Sequence, residues 1–343
     1  MPDAWPKSAL RGLFRWYLSK FPLRDGKAYF YERLHAGLTP ADRYAVARLD
    51  KGFRMQLDLA DPEQLKVYFY GHYHERYEAD LVQRLLSGDD VFWDVGANVG
   101  YFTLVAATAL NHRGRIIAFE PGKNAFARLT ENLALNPWRN IQAYPVAVTD
   151  REGEAVLHLA GDIADSSANL YQAAQAQAGC EVCRTVALDH FLREEHLPPP
   201  DLIKLDAEGA ELAVLQGAKK LINDSPPLWL MEMEEKNLRA AGASKAAVAQ
   251  FLAGCGYRAA HLSKGRWYAT ADPAGVKGRN IFCSIPALPP TGRKRRACRY
   301  RVNIYNFLPV GKIEYIADCY TSTPPCFFVL GHPRFQFESA QIF

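Results

Sequence analysis

Residues 93–100 read WDVGANVG, and residues 201–218 read DLIKLDAEGAELAVLQGA. The first stretch is the end of an apolar run, an acid at Asp94, and then a turn built on Gly96 and Gly100. The second is an apolar run that holds Lys204 and ends in Asp206, Glu208 and Glu211. Glycines after a strand let the chain turn sharply and approach a ligand, with the next helix's N-terminus facing it. A strand in the middle of a parallel sheet is buried on both faces, so a lysine inside one needs a carboxylate partner.

Working outward, apolar strand-like runs alternate with helical patterns from Phe92 to about Pro286, the signature of βαβ units and a parallel sheet. VFWDV (91–95), GRIIAFEP (114–121), IQAYPVAV (141–148), DLIKLD (201–206) and PLWLMEME (227–234) read as strands. YFTLVAATAL (101–110), NAFARLTENLALN (124–136), ELAVLQGAKKLI (211–222) and SKAAVAQFLAGCG (244–256) read as helices. TDREGEAVLHLA (149–160) reads as a hairpin turning at Glu152-Gly153, and YRAAHL pairs with NIFCSIP at the sheet edge. Five parallel-type strands and a closing antiparallel hairpin predict a seven-stranded Rossmann-like sheet with helices on both faces. In that arrangement the fourth strand lies beside the first, which makes Asp94 and Asp206 the natural partners of Lys204.

The turn does not meet the dinucleotide-binding pattern G-x-G-x-x-G. A carboxylate at Asp94 would repel a pyrophosphate and suits a cationic ligand. Glu120, at the end of the second strand, stands where an acid can accept both hydroxyls of a ribose. A ribose bearing a positively charged amino-acid tail describes S-adenosylmethionine (SAM).

WDVGANVGYFT, AFEP, LALN, VALD (186–189) and above all DLIKLDAEGAELAVLQGA resemble the FkbM family of SAM-dependent methyltransferases. The resemblance runs from about residue 66 to 286. It implies the class I methyltransferase fold, SAM as donor, and transfer to a hydroxyl of a sugar, glycan or small natural product. By position, Asp94, Gly96, Asn98, Gly100 and Glu120 match the family's SAM motifs. Lys204, Asp206, Glu208 and Glu211 match its fourth-strand motif, and DSSANL (165–170) more loosely resembles a serine-containing segment before it.

An alkyl hydroxyl is a poor nucleophile until its proton leaves, so the chemistry needs a positioned base or a metal. Glu208, just past the strand end, is the first candidate base. Asp206 is the second, or else holds the methionine ammonium or the acceptor. Glu232 and Glu234 end the fifth strand, and Asp206, Glu208 and Glu232 form a candidate divalent-cation set. The reading without a metal is preferred, because carboxylates alone select no ion. Lys204 is expected to hold the cleft carboxylates in register.

The outer segments read less clearly. Residues 1–85 are expected to form a helical and hairpin extension before a catalytic domain at 86–286. Within them SALRGLFRWYLSKF (8–21) is a candidate membrane-surface helix, with Leu10, Phe14, Tyr17 and Phe21 on one face beside Lys7, Arg11 and Arg15. Residues 287–343 hold eight Lys/Arg against three acids, so the net charge of +4 belongs to the tail. That tail is expected to be poorly ordered and dispensable for catalysis. The neutral body lacks a basic groove, so no nucleic-acid partner is expected. SPPLW (225–229) only mimics the Asp/Asn-Pro-Pro-aromatic turn of amino-methylating enzymes. A nucleic-acid methyltransferase and an inactive SAM-fold scaffold in glycan assembly are the rival readings. Cys180 and Cys183 have no second pair at zinc-site spacing, and no run reaches the length of a membrane span. A cytoplasmic protein is expected.

Overall fold

The computed structural model of the 343-residue chain describes residues 6–22, 25–159, 170–171 and 179–284. The expected tail at 287–343, and all of the DSSANL segment except Leu170, lie outside the described residues.

The core is an eight-stranded sheet. Its parallel half is β3 (Val91–Val95), β4 (Arg115–Phe119), β5 (Ile141–Tyr144), β9 (Leu202–Leu205) and β10 (Leu228–Glu232). Its antiparallel edge is β11 (Arg258–Ser263), β12 (Arg266–Thr270) and β13 (Asn280–Ser284). The spatial order is β5-β4-β3-β9-β10-β13-β11-β12. The fourth parallel strand in sequence, β9, lies between the first and the fifth, as expected. The Rossmann-like class is therefore borne out with one correction, eight strands rather than seven. The added strand, β12, follows a tight turn at Lys264-Gly265, where both residues take positive φ (48° and 74°). Two such residues in succession suit a two-residue hairpin turn, so β11 and β12 form the hairpin while β13 pairs between β11 and β10.

Two further expectations need correction. IQAYPVAV is not one strand: Pro145 divides it into β5 and β6 (Val146–Thr149). Proline cannot donate to a ladder, and the chain leaves the main sheet there. The hairpin at Glu152-Gly153 does not form as a pair of neighbours either. β7 (Gly153–His158) and β6 both pair with β8 (Cys180–Ala187), which lies between them in a separate three-stranded sheet.

Each face of the main sheet has its own apolar core. Trp93, Ile203 and Trp229 point to the face covered by α7 (Leu188–Glu194), α8 (Glu211–Gln216), α9 (Lys219–Asp224) and α11 (Lys245–Gly254). Phe92, Leu202 and Leu230 point to the other, covered by α5 (Tyr101–Leu110) and by the N-terminal α3 (Pro62–Tyr70) and α4 (Arg76–Leu85). That second core continues into α1 (Lys7–Lys20), α2 (Lys27–Leu38) and the hairpin of β1 (Tyr44–Arg48) and β2 (Arg54–Asp58). The LALN motif, at the C-terminal end of α6 (Lys123–Ala134), holds the hairpin. Asn136 accepts from the Arg54 amide at 2.9 Å and donates to its carbonyl at 2.8 Å, while Asn132 accepts from Gln56 at 2.7 Å. In VALD, Asp189 accepts from the Lys220 and Leu221 amides, both at 2.7 Å, and so caps α9. Among the described residues no helix is long and apolar enough to cross a membrane.

Candidate active site

The turn after β3 is fixed by the neighbouring strand. The Gly96 and Ala97 amides donate to the Phe119 carbonyl at 3.0 and 2.9 Å. Gly96 adopts φ 80°, and a side chain there would overlap the Asp206 carbonyl oxygen. Gly100 adopts φ 93°, and a Cβ there would come within 2.6 Å of Leu129. Gly96 thus demands glycine for two reasons, the left-handed backbone and the backbone clash, and Gly100 chiefly for its left-handed backbone. Glu120 follows β4 and is buried; its carboxylate accepts from the Asn98 amide at 2.7 Å and from the Gly122 amide at 2.8 Å. Those bonds aim the carboxylate across the turn.

One cleft is lined by Gly96, Asn98 and Glu120 on one side and by Asp206, Ala207 and Glu208 on the other. Val148 and Leu157 supply part of its apolar wall. The structure therefore joins the two sequence motifs at one place, outside the carboxyl ends of parallel strands where open α/β sheets take ligands. Asp94 does not line it. That side chain is buried and accepts from the Thr103 hydroxyl at 2.5 Å. Burial pushes the Asp94 carboxyl up to about 6, partly offset by that bond.

The turn after β9 presents Glu208 by an unusual backbone. Glu208 has φ 48°, a left-handed conformation that costs a non-glycine residue of order 1 kcal/mol or more. Buried Glu211 holds the turn, its Oε1 accepting from the Ala207 amide at 3.1 Å and the Gly209 amide at 3.2 Å. Asn237, in α10 (Glu235–Ala240), donates to Glu208 Oε2 at 2.5 Å. Burial and the nearby Asp206 carboxylate push the Glu208 carboxyl up to about 8.

Beside this turn, Lys204 is 1 % exposed and its ammonium is surrounded by acids. Its Nζ lies 3.1 Å from Asp206 Oδ2 and 3.9 Å from Glu75 Oε1, with the Phe102 ring centroid 5.1 Å away. Burial alone would lower its pKa; Asp206, Glu75 and Glu232 outweigh that and hold it above the ordinary lysine value. Of its two expected partners, Asp206 makes the ion pair. Asp94 lies in register beside Lys204 on β3 but binds Thr103 instead.

Glu75 was not foreseen. It precedes α4, and its Oε1 has no hydrogen-bond partner, only the ion pair with Lys204. Burial pushes its carboxyl up to about 7 and that of Glu232 up to about 8. Carboxylate oxygens of Glu75, Asp206 and Glu232 lie within 4.8 Å of one another. The expected trio of Asp206, Glu208 and Glu232 is thus replaced by one in which Glu75 takes the place of Glu208. The Lys204 ammonium among these acids supplies a built-in cation. Nothing in YHERYE (73–78) distinguishes Glu75 from the acids around it by spacing; only the packing of α4 over the sheet does.

Residues 94–259 match the model of the Methyltransferase FkbM domain. The chain is 30% identical over 155 residues to the hexuronic acid methyltransferase AglP of Haloferax volcanii, covering 41% of this chain and 56% of that protein. It is also 30% identical over 156 residues to the 2-O-methyltransferase NoeI of Sinorhizobium fredii, covering 41% of this chain and 63% of that one. The chain thus spans less than two thirds of either relative. A crystal structure of methyltransferase FkbM from Methylobacillus flagellatus KT is 14% identical over 76% of this chain and 61% of that one, with a TM-score of 0.41. The glycine turn after β3 and the acid turn after β9 both fall within the residues, Asp94 to Ala259, that match the Methyltransferase FkbM domain.

Proposed function

We propose that the protein transfers the methyl group of SAM to a hydroxyl of a sugar or glycan. The observation that carries this is a shared cleft in which Gly96, Asn98 and Glu120 face Asp206 and Glu208. Bound SAM supplies an electrophilic methyl on a sulfonium, which needs little beyond in-line alignment with the acceptor oxygen. The residues fit it: Glu120 is aimed by two amides where ribose hydroxyls would lie, and the glycine turn admits close backbone approach. Glu208 takes the proton of the acceptor hydroxyl. Its elevated pKa matches a base that works near neutral pH. Lys204 holds Asp206, Glu75 and Glu232 close together without their mutual repulsion opening the site. Buried Asp94 supports the turn through Thr103 and lends negative character behind the ligand.

We assign the chemistry to residues 86–286, with residues 1–85 as an extension that brings Glu75 to it. A sugar acceptor, hexuronic acid in particular, is suggested by the activities for which the two relatives are named. Cytoplasmic placement belongs to the same proposal.

The test is incubation of the full chain with methyl-labelled SAM and panels of uronic-acid and neutral saccharides, RNA and DNA. The expected result is a methyl ether on a saccharide. Label on nucleic acid alone would contradict the proposal, as would SAM binding without turnover on any saccharide.

A further inference from the structure

Six of the eleven large apolar side chains that stand exposed among the described residues lie on α1 and α2: Leu10, Leu13, Trp16, Tyr29, Phe30 and Leu34. Leu10, Leu13 and Trp16 are spaced by three and share one face of α1, while Phe14 and Leu18 turn inward. Leu13 is 54%, Trp16 52% and Tyr29 59% exposed. Helix α2 buries only Tyr31 along its 12 residues. A helix this short needs tertiary packing in water; α2 takes it through buried Tyr31 and its bonds to α1, and leaves Tyr29, Phe30 and Leu34 exposed.

The two helices form a fixed platform. Arg11 donates to the Leu38 carbonyl at 2.6 Å, and Lys27 donates to the Leu18 and Phe21 carbonyls at 2.8 and 2.7 Å. The Tyr17 and Phe30 rings meet edge to face at 5.8 Å. Arg15 anchors α1 to α3 through the Tyr68 carbonyl at 2.8 Å. The remaining cations face solvent: Lys7 and Lys20 at the ends of α1, and Arg33 over the Tyr29 ring.

We propose that the exposed face of α1 and α2 docks the protein on an anionic lipid surface. Trp and Tyr suit the headgroup boundary because their rings are apolar with a polar tip. Leu10, Leu13, Phe30 and Leu34 enter the acyl boundary, and Lys7, Lys20 and Arg33 meet lipid phosphates at the rim. The described residues 7–22 and 25–38 carry six Lys/Arg against Asp25 and Glu32. That excess opposes a second copy of the chain as occupant, because a two-fold contact would set like charges against each other. It favours phosphate-bearing lipid.

The experiment is flotation of the full chain with vesicles of phosphatidylcholine alone or mixed with phosphatidylglycerol. The parent chain should float with the mixed vesicles and release at high salt. Leu13→Glu/Trp16→Glu/Phe30→Glu should cut that partition at least tenfold while thermal melting shows it folded. Lys7→Glu/Lys20→Glu, which leaves the apolar residues in place, should weaken binding to mixed vesicles and not to neutral ones. Parent protein that stays in solution with both vesicles would overturn the proposal. So would equal flotation of parent and triple variant, as the basic tail alone would give. A dimer by light scattering that the triple variant dissolves, without vesicle binding, would identify a second copy as the occupant instead. Methyl transfer to a soluble saccharide is read separately and is expected unchanged in both variants.

Discussion

Gly96 and Asp206 meet backbone to backbone: any Cβ at Gly96 would overlap the Asp206 carbonyl oxygen. The Asp206 amide in turn donates to the Val95 carbonyl at 2.9 Å. The glycine turn and the acid turn are thus one unit, and neither can shift without the other. Gly96→Ala should therefore destabilise the fold by about 2–4 kcal/mol, combining overpacking with a forced positive φ. The measurement is chemical denaturation. A loss under 1 kcal/mol would mean that the two turns are more loosely joined than described.

Lys204 is the counter-charge for Asp206 and Glu75. Lys204→Met should cost roughly 3 kcal/mol of stability, because it leaves buried carboxylates without their cation. SAM affinity should fall with it. Titration and melting of the one variant check both outcomes. A variant of normal stability that binds SAM but cannot transfer would give the lysine a direct part in the chemistry.

Glu208→Gln should keep SAM affinity and lower the single-turnover transfer rate by roughly 10²–10⁴. The parent rate should rise with pH through about 8, as the Glu208 carboxyl loses its proton. In the variant that limb should vanish. A pH profile unchanged by the substitution would move the base to Asp206 or Glu75.

The buried acids also set a pH dependence of stability. Glu75 and Glu211 are raised to about 7, and Glu208 and Glu232 to about 8, chiefly by burial. The folded chain therefore binds these protons more tightly than the unfolded chain does. Their contribution is full below the ordinary glutamate range and is lost as pH rises through about 7 to 8. The melting temperature should fall between about pH 5 and about pH 9, and Glu208→Gln/Glu232→Gln should flatten the decline. A steeper decline in that double variant would contradict the assignment.

Much of the fold was legible because its signals are local. Buried strands of a parallel sheet are continuous apolar runs, and the glycines after β3 sit where the backbone needs positive φ. Strand partnership is not local, which is why β8 between β6 and β7 went unread although each segment is β-rich. Pro145 carries the signal for the break between β5 and β6, because a residue without an N–H cannot continue the ladder. At the site, the sequence placed Glu120, Asp206 and Glu208 at strand ends, and the structure brings them to one cleft. It could not place Glu75, which reaches Lys204 only because α4 packs on α5 across the sheet. Nor could it show that Asp94, in register with Lys204, would bind Thr103.

Calorimetric titration of the full chain shows directly whether this cleft binds SAM. SAM should bind the parent protein, and Glu120→Ala should weaken it by roughly 1–3 kcal/mol, the scale of a charged hydrogen bond. Binding of NAD with none of SAM, or SAM binding untouched by Glu120→Ala, would contradict the account.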